Sequence, residues 1–152
     1  MIIRTGSVLD SQEQALIQQV NCVNKMGSGL AKAIYMKWPQ VKTEYHKLFA
    51  QVNGLGLLGT IQLVDVGDYF DKRYVINAFS QYNAGIDGKQ YTEYIAVRSC
   101  FHRVCVVMDE LGIEELAVPY LYGCGLGGGD WNIVSKIIND VLGDRAICYK
   151  RD

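Results

Sequence analysis

The stretch Ala117–Trp131, A-V-P-Y-L-Y-G-C-G-L-G-G-G-D-W, decides how the rest of the chain is read. The apolar run Leu116 to Tyr122 predicts a buried strand. It empties into five glycines within seven residues, Gly123 to Gly129, and a helix is expected to open at Asp130–Trp131. Glycine carries no Cβ and reaches φ > 0, so an anion can press against the backbone N–H groups of such a loop. The helix behind it adds unpaired N–H groups and the positive end of its dipole. A tight turn needs one or two glycines. Five in seven residues point to a diphosphate cradle.

Outward from this loop, strand-like and helix-like stretches alternate. After it, Val134, Ile137, Ile138, Val141 and Leu142 form one helical face, Gly143 is the stop, and Arg145–Lys150 reads as a closing strand. Before it, Tyr91–Leu111 is the longest predicted helix, with Tyr94, Val97, Phe101, Val104, Cys105, Met108 and Leu111 on one stripe and Gly112 as its C-terminal stop. Thr60–Val66 and Tyr74–Phe79 read as strands joined by a hairpin connection, Gly67–Arg73, and Ser80–Gln90 as a polar loop. Asn53–Gly59 is punctuation. Nearer the start, Met1–Thr5 predicts a first strand, Asp10–Gln14 a turn and Leu16–Val23 a second strand. A small-residue loop, Asn24–Gly29, leads into a helix over Leu30–Trp38. Pro39 ends that helix and can open the next, Gln40–Val52, with Val41, Tyr45, Leu48, Phe49 and Val52 on one face. Alternating strands and amphipathic helices predict an α/β fold: a three-layer α/β/α sandwich around a mixed, mostly parallel sheet. Residues 1–152 read as a single domain, with no repeat and no linker.

Composition narrows the function. With 49% hydrophobic and 20% charged residues the chain is globular, and a net charge of −1 gives no general attraction for nucleic acid. The five cysteines lack C-x-x-C or paired Cys/His spacing. Free thiols in a reducing, cytoplasmic setting are therefore expected, without a metal site. No apolar stretch reaches the length of a membrane span.

Gly123, Gly125 and Gly128 satisfy G-x-G-x-x-G, yet that fingerprint belongs in a first βαβ unit with an acidic residue about 20 positions on, and here the chain closes after one helix and one strand. No G-K-[ST] follows the glycines, and Gly27-Ser28-Gly29 lacks the spacing of a nucleophile elbow. What remains is a pair of loops after strands, Asn21–Ala31 (N-C-V-N-K-M-G-S-G-L-A) and Tyr122–Trp131. In an open α/β sheet such loops flank one crevice. Their small residues and amides suit a diphosphate bearing a hydroxyl-rich part, because an amide both donates to and accepts from hydroxyls.

Strand, N-x-x-N, the loop M-G-S-G-L-A, helix, and later Y-G-C-G-L-G-G-G-D-W together resemble a macrodomain, a resemblance running from Ile2 to Tyr149. It implies a three-layer α/β/α fold that binds ADP-ribose or a derivative without a cofactor. The G-C-G-L and M-G-S-G-L-A stretches are most similar to the branch containing ADP-ribose 1″-phosphate phosphatases and terminal ADP-ribose glycohydrolases. Carried over, Gly27, Ser28, Gly29, Leu30 and Ala31 would lie along the diphosphate and distal ribose. Gly123, Cys124, Gly125, Leu126 and Gly127 would close from the other side, flanked by Tyr122. Asn24 would face the distal ribose, supported by Asn21, with Gln81 nearby. Adenine would fall near Gly6, Ser7, Val8 and Tyr149. Three departures stand out: Ser7 replaces an adenine-binding aspartate, Val75–Ser80 holds no lysine where glycohydrolases carry a nucleophile, and Gly127 replaces their aspartate.

The resemblance thus implies hydrolysis of ADP-ribose 1″-phosphate, with Asp130 or Asn24 orienting water. The alternatives are a glycohydrolase acting on ADP-ribosylated protein or nucleic acid, and a silent binding module. Asp130 also fits a helix N-cap. Cys124 reads as a small filler, Lys25 as a loop lysine within reach of a phosphate, His46 and His102 as surface residues, and Trp131 as a core residue that pins the loop.

Overall fold

Parallel strands joined by helices must be covered on both faces, and this chain supplies two helices for each. The computed structural model describes residues 1–152. Its strands are β1 (Ile2–Thr5), β2 (Ala15–Val20), β3 (Ile61–Asp65), β4 (Tyr74–Phe79), β5 (Leu116–Pro119) and β6 (Ala146–Lys150), in the order β1-β6-β5-β2-β4-β3. All pairs are parallel except β3–β4, the antiparallel hairpin, in which Leu63 faces Ile76. The helices are α1 (Gly29–Lys37), α2 (Pro39–Leu48), α3 (Tyr94–Leu111) and α4 (Trp131–Leu142). This is the three-layer, mostly parallel α/β arrangement the alternation predicts. No helix is long and apolar enough to cross a membrane.

Side-chain alternation along β2 shows how the layers are filled. Ile17 joins Ile76, Val97, Phe101, Val104 and Ile138 under α3 and α4, whereas Leu16 joins Ile34, Val41, Val75 and Ala117 under α1 and α2. Further along that second face, Val20, Tyr45 and Phe79 form a smaller apolar group. Between the two groups runs a ladder of amides. Gln18 Nε2 donates to Asn77 Oδ1 (2.8 Å), Asn77 Nδ2 to Gln62 Oε1 (3.0 Å), and Gln62 Nε2 to the Glu44 carbonyl (2.9 Å).

Several boundaries differ from the sequence reading, each for a local reason. The second strand ends at Val20, not Val23, because Asn21 Oδ1 accepts from the N–H groups of Val23 and Lys25 and turns the chain. The fifth ends at Pro119, not Tyr122: proline has no N–H for the ladder, and Leu121 takes φ 62. The long helix starts at Tyr94, not Tyr91, since the N–H groups of Tyr91 and Thr92 donate to the Gly127 carbonyl. The second helical piece stops at Leu48, which leaves Val52 41% exposed instead of on the apolar face. Leu111, the expected end of the α3 stripe, is also exposed, one residue before Gly112 turns left-handed at φ 70. The N-terminal connection predicted as a turn over Asp10–Gln14 includes one turn of 3₁₀ helix at Val8–Asp10.

Candidate functional site

The parallel strands β2, β4 and β5 end on one side of the sheet, and there the chain encloses a cavity of about 620 Å³. That volume lies within the range of small-molecule sites. Its floor is Gln18–Asn21 at the end of β2. One wall is Lys25–Ala31, the opposite wall Pro119–Gly123 and Gly125–Gly127, and one end is closed by Gln81 and Ala84–Ile86. Ser28 and Gly125, nearly a hundred residues apart in sequence, share this hollow.

The β2–α1 loop is held from beneath by its own asparagine. Asn21 Nδ2 donates to the Lys25 carbonyl (2.7 Å), its Oδ1 accepts from Lys25 N (3.2 Å), and the buried hydroxyl of Tyr45 donates to the same Oδ1 (2.8 Å). The loop then hands over to α1, whose first turn lies in the wall with no side-chain cap from Ser28. Helices leave their first N–H groups without internal partners, so Gly29, Leu30 and Ala31 present donors to the cavity.

A denser network holds the β5–α4 loop. Gln19 Nε2 donates to Gln81 Oε1 (2.7 Å) and Thr92 Oγ1 (2.9 Å), while Gln19 Oε1 accepts from Ser80 Oγ (2.7 Å). Thr92 Oγ1 in turn donates to the Gly123 carbonyl (2.6 Å), and Ser80 Oγ pairs with the buried Tyr122 hydroxyl (2.7 Å). A Cβ built on Gly127 would stand 2.5 Å from Thr92 Oγ1 and 2.6 Å from Gln19 Nε2. The position where the resemblance implies a glycohydrolase aspartate is thus hemmed in by Thr92, Gln19 and the Gly123 carbonyl.

The wall includes most, not all, of the residues singled out from sequence. Asn21, Gly27, Ser28, Gly29, Leu30, Ala31, Gln81, Tyr122, Gly123, Gly125, Leu126 and Gly127 line it. Six stand outside. Asn24 adopts φ 60 and its Oδ1 accepts from His46 Nδ1 at 2.6 Å, on the α2 side of the loop. Asp130 caps α4, its carboxylate accepting from Asn132 N at 2.8 Å. Cys124 directs its thiol to the Tyr122 carbonyl (3.3 Å), and burial, with Asp130 adding to it, pushes the thiol up to about 11. It therefore stays protonated at neutral pH. Gly6, Ser7 and Val8 occupy the neighbouring corner where β1 and β6 end. There Ser7 Oγ accepts from Leu9 N, Val8 is buried, and Tyr149 donates to the buried carboxylate of Glu13. This corner meets the cavity at Tyr120, whose N–H donates to the Tyr149 carbonyl. Trp131 stacks edgewise on Tyr120 (centroids 5.1 Å apart) beside the core. His102 is exposed on α3, and His46 is half-buried, with burial and then Lys42 lowering its pKa.

Sequence reasoning missed Gln18 and Gln19. Two adjacent glutamines in the otherwise apolar run L-I-Q-Q-V were the available signal. Gln18 Oε1 is buried without a protein partner beneath the floor of the cavity. No carboxylate lines the cavity, and Lys25 is the one charged residue that does. The arrangement combines peptide N–H donors, neutral amides and a single cation. That composition suits an anion with hydroxyl-rich flanks.

A family model described as Macro domain matches residues 17–138. The DNA ADP-ribosyl glycohydrolase of Mycobacterium tuberculosis is 30% identical over 132 residues, which is 87% of this chain and 36% of that protein. The chain thus spans about a third of the length of that relative. A protein of Enterobacteria phage T4, described as an uncharacterized 17.5 kDa protein, is 28% identical over 123 residues, 78% of this chain and 74% of its own. Among solved structures, the macrodomain of Mycobacterium tuberculosis DarG has a TM-score of 0.77 at 26% identity, covering 99% of each chain. A Bacteroides thetaiotaomicron protein of unknown function reaches 0.83 at 25% identity, over 99% of this chain and 97% of its own.

Proposed function

The chain belongs to the Macro domain family, and on that premise we propose that its cavity binds ADP-ribose and releases it from a macromolecular conjugate, as a glycohydrolase. The observation that carries the binding reading is the meeting of two small-residue loops around one hollow without a lining carboxylate. A diphosphate placed between Ser28–Ala31 and Gly123–Gly127 meets peptide N–H groups and no like charge. Gln81, already bonded to Gln19 and to the Asn83 carbonyl, closes the end of the hollow where a ribose or the base would lie. The choice of glycohydrolysis is supported by the likeness to the mycobacterial DNA ADP-ribosyl glycohydrolase.

In that reaction water adds at the anomeric carbon of the distal ribose as its bond to the acceptor breaks. The acceptor leaves with the proton that the water gives up. The cavity contributes by holding the diphosphate and excluding competing poses, which lowers the entropic part of the barrier. A lysine nucleophile from β4 has no counterpart, since the strand and its exit read V-I-N-A-F-S-Q.

That absence favours a second reading, hydrolysis of ADP-ribose 1″-phosphate, in which water attacks phosphorus and inorganic phosphate leaves. One experiment separates the two: the purified protein is given ADP-ribosylated oligonucleotide, ADP-ribosylated peptide and ADP-ribose 1″-phosphate in parallel, with products resolved by chromatography. Free ADP-ribose from a conjugate supports the first reading, and phosphate released from the 1″-ester alone supports the second. Binding of ADP-ribose with no turnover of any substrate leaves a recognition module.

A further inference from the structure

Lys25 is the one charged residue lining the cavity, and its position is built rather than incidental. Asn21 grips its backbone on both sides, donating to its carbonyl and accepting from its N–H. Asn21 is in turn fixed by the Tyr45 hydroxyl from the core. The side chain of Lys25 forms neither an ion pair nor a hydrogen bond with the rest of the chain. Lys89 pairs with Asp87, Lys37 donates to the Leu9 carbonyl and Lys42 lies over the Tyr35 ring, whereas Lys25, like Lys32, has no such partner.

The cavity has two distinguishable ends. Cys22 N donates to the Tyr82 carbonyl (2.8 Å), which ties the start of the Lys25 loop to the exit of β4. Lys25, Gln81 and Ile86 therefore belong to the β4 end. Pro119 and Tyr120 belong to the β5 end, next to the corner formed by β1 and β6. The first turn of α1 and the glycines of the β5–α4 loop stand between the two ends, so a diphosphate bound there is already served by N–H groups. Lys25, exposed on its loop and unpaired, is a cation beyond what those N–H groups supply.

We infer that Lys25 determines specificity for a further phosphate, one attached beyond the ribose that occupies the β4 end. This rests on the ADP-ribose reading, with the distal ribose at the β4 end as the resemblance implies, and extends it: the substrate carries a third phosphate. Two sources supply that chemistry, a 1″-phosphate monoester on the distal ribose and the phosphodiester next to an ADP-ribosylated nucleotide. In both, the anion meets an ammonium group and no lining carboxylate. The interaction is point-charge attraction, which arginine can also provide, and it weakens with salt.

The test is competitive displacement of a fluorescent ADP-ribose analogue by three ligands: ADP-ribose, ADP-ribose 1″-phosphate and a short ADP-ribosylated single-stranded oligonucleotide. Wild type, Lys25→Met and Lys25→Arg are compared at low and high salt. For Lys25→Met the loss of affinity for a phosphate-bearing ligand is expected to exceed the loss for ADP-ribose about tenfold, a 1.4 kcal/mol difference. Lys25→Arg restores most of it, and high salt shrinks the gap. The ligand on which the excess loss falls identifies the source of the phosphate. Equal losses on all three ligands, or no loss on any, overturn the inference while leaving ADP-ribose binding intact. Failure of the wild type to bind ADP-ribose at all overturns both this inference and the function it rests on.

Discussion

Gly27 and Gly29 of the β2–α1 loop look into open space: a Cβ built on either finds no heavy atom within 4 Å. Gly127, Gly128 and Gly129 of the β5–α4 loop are the reverse. Built there, a Cβ would lie 2.5 Å from Thr92 Oγ1, 2.5 Å from the Lys89 carbonyl and 2.8 Å from the Gly123 carbonyl, respectively. Both loops read as glycine-rich in sequence, yet glycine serves different ends in each. In the second loop the chain packs on itself, and most of its glycines are required by the protein. In the first, Gly29 is needed for its backbone, at φ 61, but Gly27 has no such constraint and leaves a surface that nothing in the protein uses, as expected where a ligand presses on the backbone. Gly125, at the tip of the second loop, also faces open space and lines the cavity, so the division follows exposure to the hollow and not chain position.

The contrast is sharpest at Gly127. Gly127→Asp drives atoms into Thr92 and Gln19, and overpacking of this kind costs about 3 kcal/mol at the upper end of its usual range. The denaturation midpoint should fall accordingly and ADP-ribose binding should go with it; an unshifted midpoint would remove the distinction between the loops. Gly27→Ala is the opposite case. Stability is expected to stay within about 0.5 kcal/mol, as for surface substitutions, while affinity for ADP-ribose drops roughly tenfold. A fall in stability without a change in affinity would mean that the open space is not a binding surface.

A smaller effect is expected at Asp130. Its carboxylate caps α4 outside the cavity wall, so Asp130→Ala should cost about 1 kcal/mol of stability and Asp130→Asn much less, since asparagine also caps. A large loss of turnover in Asp130→Asn, with stability kept, would return Asp130 to the role of base. The smallest effect concerns Cys124, in the crowded loop. With its thiol pushed up to about 11, alkylation should be slow at neutral pH and rise about tenfold per pH unit towards that value. Fast labelling at pH 7 would show that the loop opens in solution.

The order and type of the elements were legible in the chain, because an apolar stripe on a helix or an apolar run in a strand has one stable outcome in water. Val97, Phe101, Val104 and Met108 are buried as their spacing requires, and Pro39 opens α2 as its missing N–H allows. The two cavity-lining loops were legible as well, through their glycines. Two sets of residues were not. Asn24, Asp130 and Ser7 have side chains that serve a lysine-bearing loop, a helix and a 3₁₀ turn equally well, and hydrogen bonds to His46, Asn132 and Leu9 decided their directions. Gln18 and Gln19 carried no motif. Their importance arises because register brings Asn77, Ser80, Gln81 and Thr92 to them from 59 to 73 residues away. Periodicity and backbone freedom act along the chain and can be read there. The partner that a polar side chain finds depends on elements far apart in sequence, and only packing brings them together.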